Sequence, residues 1–279
     1  MERNSRGHRL ILSATNPLIK RARSLRDKKY RRQEGAFLAE GLRILTEARD
    51  AGFLPQQIFY AEGQALHPLA EAVIAACAAN GGEIIATSRD VLGKLSGKDN
   101  PQALVGIFAE HAVPLDAIKA ADAPLWLVAQ AMRDPGNLGT LLRSGDAVAA
   151  GGVILIDDCV DPFSVESVRA SMGAIFTQKI AICRWEDFAL WRARQAATLV
   201  AMTLSDDSVD YRAAQYATPV LLMVGNEARG LPDAYADAAD MCVKLPMLGR
   251  ADSLNAAVSA SILAYHIRGQ IDGSSFNCA

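Results

Sequence analysis

Two predicted strand-to-helix junctions carry polar residues suited to binding a ligand. The first contains RDPGNLGTLLRSGDA, in which Asn137 and Gly139 lie at the start of a predicted helix and Arg143 follows. Because six residues separate Asn137 from Arg143, their side chains project within about a third of a turn of each other. Free backbone amides at a helix N-terminus bind anionic and polar groups. The segment is a candidate ligand site, but taken alone it favours a helix cap followed by an exposed arginine.

The second junction lies in LLMVGNEARGLPDA. An apolar run ends at Gly225, Asn226 and Glu227, and Gly230 follows three residues later. Open α/β sheets bind ligands at the carboxyl ends of their strands, which is where this polar turn is predicted. A plain hairpin or strand-to-helix turn explains the two glycines almost as well. It does not explain an amide and an acid together at the tip of the turn.

A third candidate is the segment CVKLPMLGRADSLNAAVSASILAYHI. Ser253 is the predicted N-cap of a final helix that runs from Leu254 to about Arg268. The predicted packing stripe of this helix comprises Leu254, Ala257, Val258, Ser261, Ile262 and Tyr265, with a small-residue rim at Ala256 and Ala260. Taken alone, the pattern predicts a capped core helix whose small residues permit close packing.

Alternating strands and helices surround these segments. In the first part, the predicted strands are AFLAE, QQIFYAE, EIIATS and LVGIFAE, and the predicted helices lie in GLRILTEARDAG and LAEAVIAACAANGG. In the second part, strands are predicted in LWLVAQ, VILI, TLVAMTL, PVLLMVG and CVKLP, with another near 178–182. Such alternation favours layered α/β domains. The predicted organisation is a domain at 1–110, a linker at 111–123, a domain at 124–270 and a frayed tail at 271–279.

Composition excludes several classes of protein. The chain has 279 residues, of which 51% are hydrophobic and 22% charged, and this balance excludes intrinsic disorder for most of its length. No stretch is long and apolar enough for a membrane span or a signal peptide. Its five cysteines are scattered without any CxxC, so we expect no disulfide framework, no metal site and a reducing cytoplasm.

Positive charge is concentrated near the N-terminus. Residues 1–36 contain eleven Lys and Arg against three acidic residues, whereas the remaining chain has 18 basic and 28 acidic residues. Such density suits contacts with nucleic-acid phosphates, although a solvated helix face is the plainer explanation. The predicted RNA-binding residues are Lys20, Arg21, Arg23, Arg26, Lys28, Lys29, Arg31 and Arg32.

The three candidate segments, taken in order, resemble a known family. NLGTLLR, VGNEARGL and LPMLGRADSLNAAVSA are similar to the three motifs of the SpoU (TrmH-like) branch of the SPOUT RNA methyltransferases. VRASMGAIF at 168–176 resembles the stretch between the first two motifs, and the N-terminal part resembles an L30e-like substrate-binding domain. The departures are Ala149 and Ala150, where an aromatic before glycine is common, and Ala256, where valine is common.

This resemblance implies a fold, a cofactor and a reaction. The implied fold is an N-terminal L30e-like α/β/α domain and a C-terminal SPOUT α/β domain with a deep trefoil knot. The implied protein is a homodimer that uses S-adenosylmethionine to methylate a ribose 2'-oxygen of rRNA or tRNA, with rRNA favoured. The implied cofactor-binding residues are Gly225, Asn226, Leu245, Met247, Leu254 and Asn255. The implied catalytic residues are Arg143, Asn137, Glu227, Ser253 and Asn255.

The roles of these residues follow from the resemblance and from the reaction it implies. Methyl transfer from a sulfonium asks the protein mainly for positioning and charge placement. Since a guanidinium stays protonated in proteins, we expect Arg143 to hold a phosphate and stabilise the developing alkoxide rather than act as a base. Glu227 and Asn137 would orient Arg143, while Ser253 and Asn255 would shape the knot loop.

Three other readings compete with ribose methylation. The same fold could methylate an RNA base, or the chain could be a non-catalytic RNA-binding ribosome-assembly factor. The intact polar set of Asn137, Arg143, Glu227 and Asn255 argues against the latter. A nucleotide-binding oxidoreductase is a further alternative, but the sequence lacks the GxGxxG fingerprint.

Overall fold

The computed structural model describes residues 2–97, 102–205 and 207–273. By its contacts the chain divides into two compact units, Met1–Glu110 with Asp161–Phe176, and His111–Val160 with Thr177–Ala279. The predicted tail at 271–279 lies outside the described residues from 274 onward.

The first unit contains a five-stranded sheet. Its strands are β1 (Arg9–Ile11), β2 (Ala36–Glu40), β3 (Gln57–Ala61), β4 (Glu83–Thr87) and β5 (Leu104–Ala109). Its helices are α1 (Pro17–Ser24), α2 (Lys28–Glu34), α3 (Leu42–Asp50), α4 (Pro68–Ala79), α5 (Arg89–Ser96) and α7 (Val165–Ser171). The strand order is β1-β4-β3-β5-β2; β5 runs opposite to the other four strands, which share one direction. The predicted α/β alternation is confirmed, whereas β1, α1, α2 and α5 were not predicted.

An aromatic cluster shows why α7 belongs to the first unit. Phe163 lies 5.0 Å from Phe37 and Phe176 lies 4.9 Å from Phe108, measured between ring centroids. Phe163 and Phe176 flank α7, and all four rings are buried. The stretch 161–176, which the sequence pattern placed in the second domain, therefore completes the core of the first unit.

Arg31 was predicted to contact RNA, but the structure places it in the interior of the first unit. Its side chain is 3% exposed and lies 2.7 Å from the carboxylate of Asp161, and it also donates to the carbonyls of Leu25 and Arg26. A guanidinium enclosed in this way cannot reach a phosphate of RNA. Arg31 instead ties α2 to the end of α1 and to the stretch that begins at Asp161.

The second unit contains a seven-stranded parallel sheet. Its strands are β6 (Leu125–Gln130), β7 (Gly152–Ile156), β8 (Lys179–Cys183), β9 (Thr198–Met202), β10 (Val209–Asp210), β11 (Val220–Val224) and β12 (Met241–Lys244). Its helices are α6 (Pro135–Ala147), α8 (Trp185–Arg192), α9 (Asp233–Asp237) and α10 (Ala256–Ile271). The strand order is β10-β12-β9-β11-β6-β7-β8. Every predicted strand of this half is present, and the two-residue β10 is additional.

The order of the strands reverses at β6. From β6 the chain passes to β7 and β8 on one side, whereas β11 and then β9 lie on the other. At such a reversal the connections leave in opposite directions, and a crevice opens at the carboxyl ends of the strands. This edge holds the first two candidate motifs.

The start of α10 differs from the prediction. Asn255, not Ser253, is the N-cap, and its side-chain oxygen accepts hydrogen bonds from the backbone of Ala257 and Val258. The helix therefore begins at Ala256 rather than Leu254. Both serine and asparagine cap helices well, so residue type alone does not separate two such residues two positions apart.

The packing of α10 also differs from the predicted single stripe. Small residues, with Leu263 and Ile267, form its buried face, and Ser261 meets Ser144 of α6 at 2.6 Å between hydroxyl oxygens. The larger residues of the predicted stripe are exposed in the single chain. This exposed set, called the α10 stripe below, comprises Leu254, Val258, Ile262 and Tyr265.

The predicted linker packs as part of the second unit. Val113 donates its backbone N–H to Ile180 of β8, and Ile118 and Ala120 are buried. Within the described ranges no helix is both long and apolar enough to cross a membrane. In the same ranges, no three His, Cys, Asp or Glu side chains cluster as a metal site requires. The trefoil knot stays a prediction.

Candidate active site

The ends of β6 and β11 bring the first two motifs together. The two strands pair in parallel with Ala129 opposite Val224. Two residues further along each chain, the side-chain amide of Asn226 donates to the carbonyl oxygen of Ala131 at 2.8 Å. The motif loops are therefore joined directly beyond the ends of the strands that carry them.

The loop after β11 is a tight turn built on two glycines. Asn226 and Gly230 exchange two backbone hydrogen bonds, of 3.1 and 2.9 Å. A methyl group on Gly225 would lie 2.5 Å from the carbonyl oxygen of Gly230 and closer still to the carbonyl carbon. Gly230 itself has a φ of +68°, which favours glycine. Both glycines predicted from the sequence are thus required by the turn.

Glu227 receives hydrogen bonds from the first motif. Its two carboxylate oxygens accept from the backbone amides of Arg133 and Asp134, each at 3.3 Å, and from the side-chain amide of Asn137 at 2.9 Å. Partial burial raises the pKa of Glu227, but these hydrogen bonds outweigh it and hold the pKa below its usual range. Glu227 is therefore a carboxylate at neutral pH that acts as an acceptor.

A chain of side-chain amides joins the third motif to the other two. Asn255 donates to the amide oxygen of Asn137 at 2.7 Å, and Asn137 in turn donates to Glu227. The Asn255 oxygen is already occupied as the cap of α10, which leaves its amide nitrogen to face Asn137. Three of the predicted catalytic residues, one from each motif, thus form a single network. We refer to them as the amide network.

The other two predicted catalytic residues lie outside the amide network. Arg143 is exposed on α6, and it makes no ion pair with any residue that the structure describes. Ser253 is exposed and does not cap α10. It lies in the wall of the cavity described next. Arg143 is therefore available to bind an anionic ligand, whereas Ser253 is placed to contact a ligand from the cavity wall.

A cavity of about 540 Å³ opens beside the loop after β11. Its size is that of a small-molecule site, and its walls combine apolar side chains with polar groups. Five predicted cofactor-binding residues line it, namely Gly225, Asn226, Leu245, Met247 and Leu254. The sixth, Asn255, is absent from the lining and serves the amide network instead. The site is suited in volume and chemistry to S-adenosylmethionine.

Sequence reasoning missed one wall of this cavity. Residues 202–205, at the carboxyl end of β9, line it together with Lys244 and Ser259. The segment 202–205 has no motif of its own. It reaches the site because β9 lies beside β11 in the sheet, and that neighbour relation is not readable from local sequence.

A second cavity, of about 660 Å³, shares the same loop. Residues Asn226 to Leu231 line both cavities, so the loop stands as a partition between them. The second cavity is also lined by Gln130 and Arg133, and Arg229 of the shared loop lines both cavities. Its two arginines make it suited to a phosphate-bearing ligand, and neither was predicted.

The predicted RNA-binding residues lie on α1, on α2 and at the turn between them. All except Arg31 are exposed, and these are Lys20, Arg21, Arg23, Arg26, Lys28, Lys29 and Arg32. Arg21 pairs with Glu34 at 2.6 Å. The other six exposed residues of the predicted set make no ion pair within the described part of the chain and remain available to RNA.

The second unit and its site define an S-adenosylmethionine-dependent RNA methyltransferase. Residues 124–265 match the model of the SpoU rRNA methylase family, and residues 16–106 match that of the MRM3-like substrate binding domain. The chain belongs to the SpoU rRNA methylase family. The predicted family, fold class, cofactor and ribose-methylating activity are confirmed.

The similar proteins extend over nearly the whole chain. The chain is 30% identical to the 23S rRNA (uridine(2479)-2'-O)-methyltransferase of Streptomyces viridochromogenes, over 89% of this chain and 88% of that protein. It is 28% identical to the 23S rRNA (guanosine(2553)-2'-O)-methyltransferase RlmP of Bacillus subtilis, over 93% and 99%. A solved AdoMet-bound rRNA methyltransferase from Sinorhizobium meliloti is 38% identical, over 93% and 97%, with a TM-score of 0.86.

Proposed function

We propose that this protein methylates a ribose 2'-hydroxyl of 23S-type rRNA. The amide network carries the proposal, because it holds the three motifs together beside two cavities that share one loop. One cavity suits the cofactor and the other suits a phosphate-bearing acceptor. Support for rRNA comes from the two relatives above, each of which is named as a 23S rRNA 2'-O-methyltransferase.

The cofactor side uses the cavity of about 540 Å³. S-adenosylmethionine supplies a methyl group that its sulfonium already activates. We propose that Gly225, Asn226, Leu245, Met247 and Leu254 hold it, with Ser253 as part of the wall. Asn255 is a positioning residue here, since its amide is engaged by Asn137.

On the acceptor side we propose that Arg143 is the catalytic residue. Its exposed guanidinium can donate to the phosphate beside the target ribose and to the 2'-oxygen as that oxygen loses its proton. Glu227 and Asn137 position this side by bonding the turn before α6 rather than by touching Arg143. Arg133 and Arg229 of the second cavity are proposed to receive the neighbouring backbone.

The first unit is proposed to hold the RNA through its exposed cations. Deleting the N-terminal segment is an unsuitable test, because Ile19, Ala22 and Leu25 are buried in the core of that unit. Single charge-removing substitutions keep this core intact. They are therefore the sharper probe of RNA contact.

We also propose a homodimer, a knotted second unit and a cytoplasmic location. The α10 stripe supports the dimer, since Val258, Ile262 and Tyr265 lie exposed along one face of α10 and exposed Leu254 directly precedes its N-cap. Membership in the family supports the knot. Burial raises the pKa of the Cys77 and Cys159 thiols to about 11, so both stay protonated, which suits unpaired cysteines in a reducing compartment.

A methyl-transfer assay tests the proposed function. The wild type is incubated with labelled S-adenosylmethionine and total RNA from cells lacking the gene, and the RNA is digested for nucleoside mass spectrometry. We expect a 2'-O-methylnucleoside from the large-subunit rRNA fraction, and its loss with Arg143→Ala. The exposed Arg184→Ala of the second unit is the matched control and should retain activity.

Two outcomes would count against parts of this proposal. Arg143→Lys keeps the charge but loses the planar pair of donors, so near-native turnover by that variant would reject the role given to Arg143. A methylated base in place of a 2'-O-methylnucleoside would reject the ribose acceptor.

A further inference from the structure

A basic groove lies in the first unit between α1 and α5. It is a cavity of about 630 Å³ whose charged lining residues are Arg23, Arg26, Arg89, Asp90 and Lys94. Four cations and one carboxylate give it a formal charge of +3. Arg23 and Arg26 come from the basic N-terminal segment, whereas Arg89 and Lys94 lie on α5 and were not predicted to contact RNA. We refer to this cavity as the α1–α5 groove.

The fold gives Arg26 a defined place in the groove. Gly97 ends α5 with a φ of +68°, and a methyl group added there would overlap the Arg26 guanidinium. The guanidinium therefore lies directly against the backbone at the end of α5. Glycine at this position provides both the left-handed turn and the space for the arginine.

Arg31 fixes the backbone that carries Arg26. Its guanidinium donates to the carbonyl oxygen of Leu25 at 2.9 Å and to that of Arg26 at 2.8 Å. The same group pairs with Asp161, whose side chain is 13% exposed, so buried Arg31 anchors the turn after α1 to the inside of the unit. Arg31, which was predicted to contact RNA, thus holds the backbone of exposed Arg26 in place.

Two of the four cations, Arg23 and Arg26, carry charges that no described carboxylate neutralises by an ion pair. Lys94 pairs with Asp90 one turn away, but both side chains are largely exposed, and such pairs are worth little. Like charges this close repel one another, and a polyanion would relieve that repulsion.

We propose that the α1–α5 groove binds backbone phosphates of the RNA substrate through Arg23, Arg26, Arg89 and Lys94. The proposal rests on the proposed function and deepens it. It adds Arg89 and Lys94 to the RNA contacts predicted on α1 and α2, and it extends the RNA path into the cleft between α1 and α5. Arg31 is a positioning residue for this site.

The expected effect follows from counterion release. Each contact with a single-stranded phosphate contributes about 0.7 to the slope of log affinity against log salt. Removing two contacts should lower that slope by about 1.4, which is about a 14-fold loss of affinity at 0.15 M salt if 1 M salt is the reference. The slope is informative because a merely structural defect would not change it by this amount.

The experiment compares two double variants of the full-length chain. R89Q/K94Q removes two groove charges, and R194Q/R212Q removes two exposed charges of the second unit that pair with Asp116 and Asp210. Anisotropy of a labelled uridine 20-mer is measured across a salt series. Affinity for S-adenosylhomocysteine and methyl transfer to rRNA are measured on the same samples.

We expect the groove variant to lose slope and affinity, to bind S-adenosylhomocysteine normally, and to raise KM for rRNA with little change in kcat. The control should match the wild type. If the wild type methylates rRNA but R89Q/K94Q keeps the wild-type slope, the proposed phosphate binding by the groove is rejected and the proposed function is not. A wild type that transfers no methyl to RNA, with the slope still lost in the groove variant, would refute the proposed function and leave the groove standing.

Discussion

Replacing Gly225 by alanine tests whether the turn after β11 builds the cofactor site. The added methyl group would lie 2.5 Å from the carbonyl oxygen of Gly230 and nearer to the following backbone atoms. Ordinary contacts between such atoms are about 3.5–4.0 Å, so the turn must open by about 1 Å or more. The atoms in the way belong to the backbone and cannot rotate aside.

The size of the effect follows from this overlap. Overpacking of a closely packed site costs roughly 1–3 kcal/mol. Because the displaced loop lines the cavity of about 540 Å³, we expect that cost to appear in cofactor affinity. At about 1.4 kcal/mol per tenfold change, the Kd for S-adenosylhomocysteine should rise roughly 5- to 140-fold.

Two other glycines provide matched controls. Gly249 has open space around it, so Gly249→Ala should leave binding unchanged. Gly230 also has open space but a φ of +68°, and alanine there should cost roughly 1–2 kcal/mol of backbone strain alone. Titration calorimetry with S-adenosylhomocysteine would rank the variants. If Gly225→Ala binds as tightly as Gly249→Ala, the turn does not shape the cofactor site.

Three further predictions concern stability and assembly. Since the pKa of Glu227 is lowered, its stabilising effect should be complete above the ordinary value of 4.5 and lost on further acidification. In urea at pH 7, the free energy of unfolding of E227Q should therefore be about 1 kcal/mol below that of the wild type, and this difference should shrink below pH 4.5. The same difference at both pH values would contradict the prediction. Arg31→Ala should lower the free energy of unfolding by about 3–5 kcal/mol in the same assay, because it leaves the Asp161 carboxylate without its ion-pair partner. Arg32 is exposed, so Arg32→Ala should change this free energy little. Ile262→Asp, within the α10 stripe, should give a monomer in sedimentation, and an intact dimer would remove that face from the interface.

Local sequence patterns account for most of the fold. Continuous apolar runs such as those of β3 and β11 are long enough to be read directly as buried strands. The three residues of β1 are too few for any period to appear. The helix α5 carries Gly93 in its middle, which weakens its pattern. Assigning 161–176 to the first unit was out of reach, because it depends on contacts between residues far apart in the chain, such as Phe37 with Phe163 and Phe108 with Phe176.

The site was predictable where chemistry is local. The Gly225 turn and the acid at its tip could be found from residue type and spacing, and Asn137 from its place at a helix start. Arg31 was misjudged because a sequence of alternating cations does not reveal which one faces inward. The wall at 202–205 depends on strand order, which only the folded sheet defines.

The first unit is built from two separate stretches of the chain, and this affects when it can fold during synthesis. Its core includes Phe163 and Phe176, and an ion pair joins buried Arg31 to Asp161, 130 positions later. A nascent chain that has emerged only as far as residue 110 lacks these partners, and the stretch 111–160, which belongs to the other unit, must appear before they do. The unit thus completes its folding only after residue 176 has emerged. An isolated fragment ending at 110 should leave Phe37 and Phe108 in need of another apolar partner, so a stable binding module must carry both stretches.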